Sequence, residues 1–269
     1  MHMSRYFLFF VLLLMIGLNS CISNKKVTYL QNKENDAALE EDKLLNYQIP
    51  EYKLQYNDII DVKVLTAEDM IEKGFNAGEE GGMANRTSLG QNGGDIYYMT
   101  GYTIDKEGNI RLPLAGEVQV QEMTLEEARK AIEKALRKYV NTELYVRVKL
   151  GGIRYTAFGE FRRPGKYVVL QDRMTIYEAI ANAGDMTVVA KRDEVMLIRQ
   201  YPEGTKLHKI DLNDRSIIQS PFYFIQPNDQ IYAEPMKVRE IGTGENTAQT
   251  LALVFSAITA VALIINLSN

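Results

Sequence analysis

One cysteine and two histidines among 269 residues leave little scope for catalytic or metal chemistry in this chain. The cysteine, Cys21, directly follows Ser20 at the end of an apolar run that starts at Phe7, with Arg5 ahead of it. A basic start, an apolar centre and small residues before a cysteine make a signal peptide that ends in a lipobox, so residues 1–20 are expected to be removed and the Cys21 thiol acylated. The run Phe7–Leu18 is short for a membrane span. With no second cysteine an internal disulfide is impossible, and the acyl chains would hold the mature N-terminus on a membrane. Asn19 stands where a lipobox usually has a small or hydroxylated residue, and an ordinary secretory peptide with an incidental cysteine is the plainer alternative.

His2 lies in the signal peptide, which leaves His208 without the partners that a Ser-His-Asp order or a zinc site requires. The carboxylate pairs Glu126-Glu127 and Asp193-Glu194 fall at a helix start and beside a strand, where solvated surface explains them better than glycoside hydrolysis. No catalytic residue, no metal and no cofactor is expected, and the chain is read as a non-enzyme. The glycines between Gly74 and Gly94 lack the strand-to-helix setting of a phosphate loop or dinucleotide fingerprint. Lys and Arg total 31 against 35 Asp and Glu, interspersed to a net charge of -4, so nucleic acid is not an expected partner.

The elements that would position any such chemistry begin at the C-terminal end. Residues 246–269 contain no Lys, Arg, Asp or Glu. A helix over Thr247–Leu267 would rise about 31 Å, close to the roughly 30 Å hydrocarbon core of a bilayer, and a transmembrane helix is expected there. On a helical wheel Leu251, Val254, Phe255, Ile258 and Ile265 share one, lipid-facing side, whereas Gln249, Ser256, Thr259 and Asn266 cluster opposite. Leu253, Leu263, Ile264 and Leu267 blur the second face, so a single-span anchor, a pore wall and a helix-packing surface all stay open, with Ala252 and Ala260 suited to close helix contacts.

Between the two ends about 225 residues remain, enough for one large domain or two small ones. Ile22 to Pro50 is polar and reads as a tether, although Val27–Leu30 has strand propensity. Ile60, Val62 and Val64 alternate with polar residues after the turn Gln55–Asp58, and a long Gly-rich loop expected to be mobile covers 74–94. Tyr102–Ile104 and Ile110–Leu112 flank the turn Asp105–Asn109 as a predicted hairpin. Thr124 and Glu127 form a capping box that opens a helix with Leu125, Ala128, Ile132, Ala135, Leu136 and Tyr139 on one stripe. Leu144–Leu150 alternates cleanly. The pattern then repeats: a strand from Ile153, the turn Arg163–Lys166, a return at Tyr167–Leu170, a second capping box at Thr175 and Glu178, and a stop at Gly184. Val195–Arg199 pairs with Leu207–Leu212, and Gln226-Pro227-Asn228-Asp229 echoes Gln55-Tyr56-Asn57-Asp58.

Tyr52 to Val62, Gly108 to Gly116, the Thr124 helix and Leu144 to Leu150, in that order, resemble the polysaccharide export domain of Wza-type outer-membrane exporters. Ala157-Phe158-Gly159-Glu160, Arg163 to Tyr167, Thr175 to Gly184 and Pro227 to Ile231 resemble one SLBB domain, a β-grasp. Asn57 and Asn228 replace the glycine usual in the family's turns, a harmless change because asparagine tolerates left-handed backbone. The resemblance implies an α+β lipoprotein: signal peptide 1–20, lipidated N-terminus and linker 21–50, export domain 51–150, SLBB domain 151–236, linker 237–246 and outer-membrane helix 247–267. It implies a homo-oligomeric ring held by outer-membrane lipid with its body in the periplasm. Such a ring conducts capsular or exopolysaccharide passively from an inner-membrane polysaccharide co-polymerase, with Gln249, Ser256, Thr259 and Asn266 facing the pore. The alternative is a tethered glycan- or peptide-binding module without a pore, which would rest on tyrosines such as Tyr97, Tyr98 or Tyr155.

Overall fold

Alternating strands and two capped helices organise the chain in a computed structural model, which describes residues 23–33, 44, 51–73, 96–237 and 247–267. The expected signal peptide 1–20, Cys21 and the Gly-rich segment 74–94 lie outside the described residues. In chain order the strands are β1 (Ile59–Thr66), β2 (Tyr102–Thr103), β3 (Asn109–Leu112) and β4 (Gly116–Gln119). Helix α1 (Leu125–Leu136) precedes β5 (Leu144–Leu150), β6 (Ile153–Gly159), β7 (Gly165–Val169) and β8 (Met174–Thr175). Helix α2 (Ile176–Asn182) then leads to β9 (Val195–Tyr201), β10 (Gly204–Ile210), β11 (Phe224–Ile225), β12 (Asp229–Ala233) and helix α3 (Thr247–Leu267).

An antiparallel sheet in the order β2-β1-β5 sets Val62 opposite Val148 and Val64 opposite Val146. Its inner face, with Ile60 and Leu150, packs with Ala128, Ile132 and Leu136 of α1 in the core. The predicted partnership of Tyr102–Ile104 with Ile110–Leu112 is corrected, because β2 pairs with β1 and β3 pairs with β4. The local turn does form, with the Asn109 N–H donating to Asp105 Oδ1 at 2.7 Å. Ile104, however, is fully buried and exchanges backbone bonds with Asp58 and Asn57, which draws its strand onto the β1 edge. Tyr139 lies beyond the end of α1 and is exposed rather than on the buried stripe.

The larger sheet runs β10-β9-β12-β6-β7, and within it β12 lies parallel to β6 while the other pairs are antiparallel. Both capping boxes form as read. Thr124 and Thr175 accept from the backbone of Glu127 and Glu178, whose carboxylates bond back to the threonine N–H groups at 2.8 and 2.7 Å. Replacing Thr175 with Ala is expected to lower stability by about 1 kcal/mol, read from the urea unfolding midpoint. One continuous cluster of buried side chains runs through both sheets from Leu54 to Ala233.

The segment Asn24–Lys33 packs on the larger sheet's side of the molecule. Gln31 bridges Asp214, the Tyr29 hydroxyl donates to Asp185 at 2.6 Å, and Lys33 pairs with Asp211. The Tyr29 phenol, raised far above its usual range chiefly by burial, sits edge-on to Tyr177 with the Arg192 guanidinium over its face.

The C-terminal residues do form a helix, α3, but among the described residues no helix is long and apolar enough to cross a membrane. This overturns the expected transmembrane helix at 247–267. Polar residues supply the reason. Gln249 and Asn266 bracket residues 250–265, which rise only about 24 Å against a core of roughly 30 Å. Thr250, Ser256 and Thr259 interrupt even that stretch.

Candidate functional site

Two turns far apart in sequence meet in space. Asn57 and Asn228 both adopt left-handed backbone, with φ of 70° and 67°, as their type permits. The aspartate after each folds back on its own turn: Asp58 Oδ2 accepts the Gln55 N–H at 2.8 Å and Asp229 Oδ2 accepts the Gln226 N–H at 2.7 Å. The Asn228 side-chain amide then reaches Asp58 Oδ1 at 3.4 Å, and the Asn228 N–H donates to the Arg154 carbonyl at 2.6 Å. The turn that feeds the first sheet is thereby tied to the turn that feeds the second.

Charges fill this joint. Arg199 donates through Nε and Nη2 to the two oxygens of Asp229 at 2.9 and 2.7 Å, and Nη2 also reaches the Phe224 carbonyl at 3.1 Å. The Tyr52 hydroxyl donates to Asp58 Oδ2 at 2.5 Å. Asp58, Arg154, Arg199 and Asp229 are all buried, with Asp229 at 1% exposure. Burial pushes the Asp58 carboxyl up to about 6, against its bonds from Tyr52 and Gln55 and the Arg154 charge. Burial also pushes Asp229 up, opposed by the two Arg199 bonds.

The buried Asp58 carboxyl couples folding to proton binding. Between its unfolded value near 4 and its folded value near 6 the folded chain binds more protons, so its contribution is full at low pH and falls as pH rises through that window. Compared with Asp58→Asn, the wild-type chain is expected to lose about 2 kcal/mol of unfolding free energy between pH 4 and pH 7. Urea titrations of both proteins at several pH values measure it, and a pH-independent difference would contradict the assignment.

The side chains of Asp58, Arg199 and Asp229 are committed to hydrogen bonds or an ion pair, and among the described residues of the joint none is a nucleophile beside a base. His208 does not alter that. Its Nε2 lies 3.0 Å from the Tyr201 hydroxyl, its ring packs 4.3 Å from Phe222, and burial followed by the Arg199 charge holds it below its usual range. Glu126 and Glu127 serve Arg129 and the α1 cap, and Glu194 pairs with Lys209. Among the described residues no group of three metal-ligating side chains occurs.

Cys21 falls outside the described residues, as do the side chains of Gln249, Leu251, Ile265 and Asn266. The Ser256 and Thr259 hydroxyls donate to carbonyls of their own helix, Leu253 at 2.9 Å and Phe255 at 2.7 Å. Phe255 and Ile258 are exposed, and so are Ser256 and Thr259, while Val254 is half-buried, so one copy of the chain does not separate the two faces. Of the tyrosines considered for sugar stacking, Tyr155 is buried against Tyr167 with its hydroxyl on the Ala179 carbonyl, and Tyr98 is exposed. Sequence reasoning missed the buried charges. A signal for Arg199 was present, since strict alternation from Val195 and Leu197 puts it on the inward face of β9.

The family model for polysaccharide biosynthesis/export proteins matches residues 46–149, which hold the Asn57-Asp58 turn, the first sheet and α1. No curated protein matches this sequence. The matched family is one of export rather than of enzymes. The order of turn, strand, capped helix and strand that the sequence resembled is therefore that of a polysaccharide biosynthesis/export domain, which residues 46–149 of the chain match.

Proposed function

We propose that this chain is a lipoprotein of the outer membrane whose copies ring together into a passive conduit for capsular or exopolysaccharide. The match of residues 46–149 to the export family carries the reading. The lipobox at Cys21 supports the lipid anchor, and the body then stands in the periplasm. Residues 151–236 act as an SLBB-type module, a reading supported by the mixed sheet in which β12 runs parallel to β6 and by the capped helix α2. The ring receives polymer from an inner-membrane polysaccharide co-polymerase. Ser256 and Thr259 of α3 face the lumen of the ring, with Phe255 and Ile258 turned away from it.

Removal of the chain from its host tests the reading. Polymer is expected to be synthesised but retained beneath the outer membrane, and restored to the surface by the intact gene. Normal surface display without the chain, or a complete stop in synthesis with nothing retained, would count against a conduit. In the same cells Cys21→Ser is expected to abolish incorporation of labelled palmitate and to release the protein from the membrane fraction.

A further inference from the structure

A cleft of about 210 Å³ opens beside the joint, where the matched export domain meets the larger sheet. Its floor is apolar, from Leu150, Ile153 and Ile225, and its rim carries Glu51, Asp172 and Gln226. One wall is Tyr52, whose hydroxyl is already committed to Asp58, so that wall is held in place before any ligand arrives. On the other side the Arg173 guanidinium lies 4.9 Å from the centre of the Phe224 ring.

Size and chemistry limit what fits. The volume is below the roughly 300–1,000 Å³ of sites for drug-sized ligands, which leaves room for one ring rather than a nucleotide or a disaccharide. A sugar ring presents C–H groups on its faces and hydroxyls at its edge, matching an apolar floor under a rim of carboxylate and amide groups. Two rim carboxylates, Glu51 and Asp172, outnumber the single cation Arg173, which disfavours a uronate or phosphorylated sugar. We propose that this cleft binds one uncharged sugar ring, a hexose or N-acetylhexosamine unit of a polysaccharide. The proposal rests on the export reading for the source of that sugar, whereas binding itself stands on the cleft.

The test uses the full mature chain with labelled isoleucine methyl groups, titrated with methyl glycosides of glucose, galactose, mannose, N-acetylglucosamine, N-acetylgalactosamine and glucuronic acid. At least one uncharged glycoside is expected to shift the Ile153 and Ile225 signals saturably, with glucuronide weaker. Asp172→Ala combined with Gln226→Ala is expected to weaken that binding at least tenfold while the rest of the spectrum is unchanged. The proposal is overturned if no uncharged glycoside moves either signal, if glucuronide binds as well, or if the double variant binds unaltered. Export is scored separately in cells. A silent cleft together with polymer retention on loss of the chain would remove the sugar site and leave the export reading intact, whereas normal display without the chain would remove the export reading whatever the cleft binds.

Discussion

Arg199→Ala is expected to lower the unfolding free energy by about 3–5 kcal/mol, because it leaves the carboxylate of Asp229 buried without its counter-ion. The pair is almost wholly enclosed, with side-chain exposures of 4% and 0%, and Arg199 supplies both of the side-chain bonds that Asp229 receives. Water cannot replace them. In the variant the Asp229 carboxyl should rise further and take up a proton, so the deficit shrinks as pH falls. Arg199→Met with Asp229→Asn removes both charges and should recover most of the loss, whereas Arg137→Ala, which breaks the exposed pair with Glu133, should cost less than about 1 kcal/mol. Urea unfolding of the four proteins separates these outcomes. A loss for Arg199→Ala as small as that of Arg137→Ala would mean that the joint is wet and the charges are screened.

Gly159→Ala is expected to cost more than about 3 kcal/mol, or to prevent folding, through two effects that act together. The backbone at Gly159 has φ of 85°, where a side chain carries a penalty of about 1–2 kcal/mol. A Cβ there would also run into the Ala233 carbonyl oxygen and the edge of the Tyr232 ring, and Ala233 pairs with Gly159 across the parallel β6–β12 contact. The main chain has no flexible end to move aside, so these two central strands would have to part. Gly116→Ala provides the contrast, since its φ is 70° but nothing lies within 4 Å, and it should show only the conformational penalty of about 1 kcal/mol. Near-equal thermal midpoints for the two variants would exclude the clash.

Both expectations concern contacts that sequence spacing could not locate. Gly159 was legible as part of the SLBB-like signature, but its contact with Ala233 requires β12 to insert between β9 and β6, a choice made by summed burial over residues more than seventy positions apart. Arg199 was legible as inward-facing and its partner was not. The C-terminal helix shows the opposite limit. Its existence followed from the lack of charge and of helix breakers, yet its expected role as a membrane span did not hold, because counting uncharged residues overlooks the amides at Gln249 and Asn266 that shorten the apolar stretch.

By itself the sequence determined several features whose bonds close within about four residues. The capping boxes at Thr124 and Thr175, the left-handed asparagines at 57 and 228 and the export-domain signature belong to that set, because residue type and spacing are all that such hydrogen bonds need. Only the tertiary structure decided that the two Asn-Asp turns touch, that Arg199 finds Asp229 across the sheet, and that a sugar-sized cleft opens beside them. Those pairings depend on which surfaces lose water together, and burial is a property of the whole fold that no local pattern encodes.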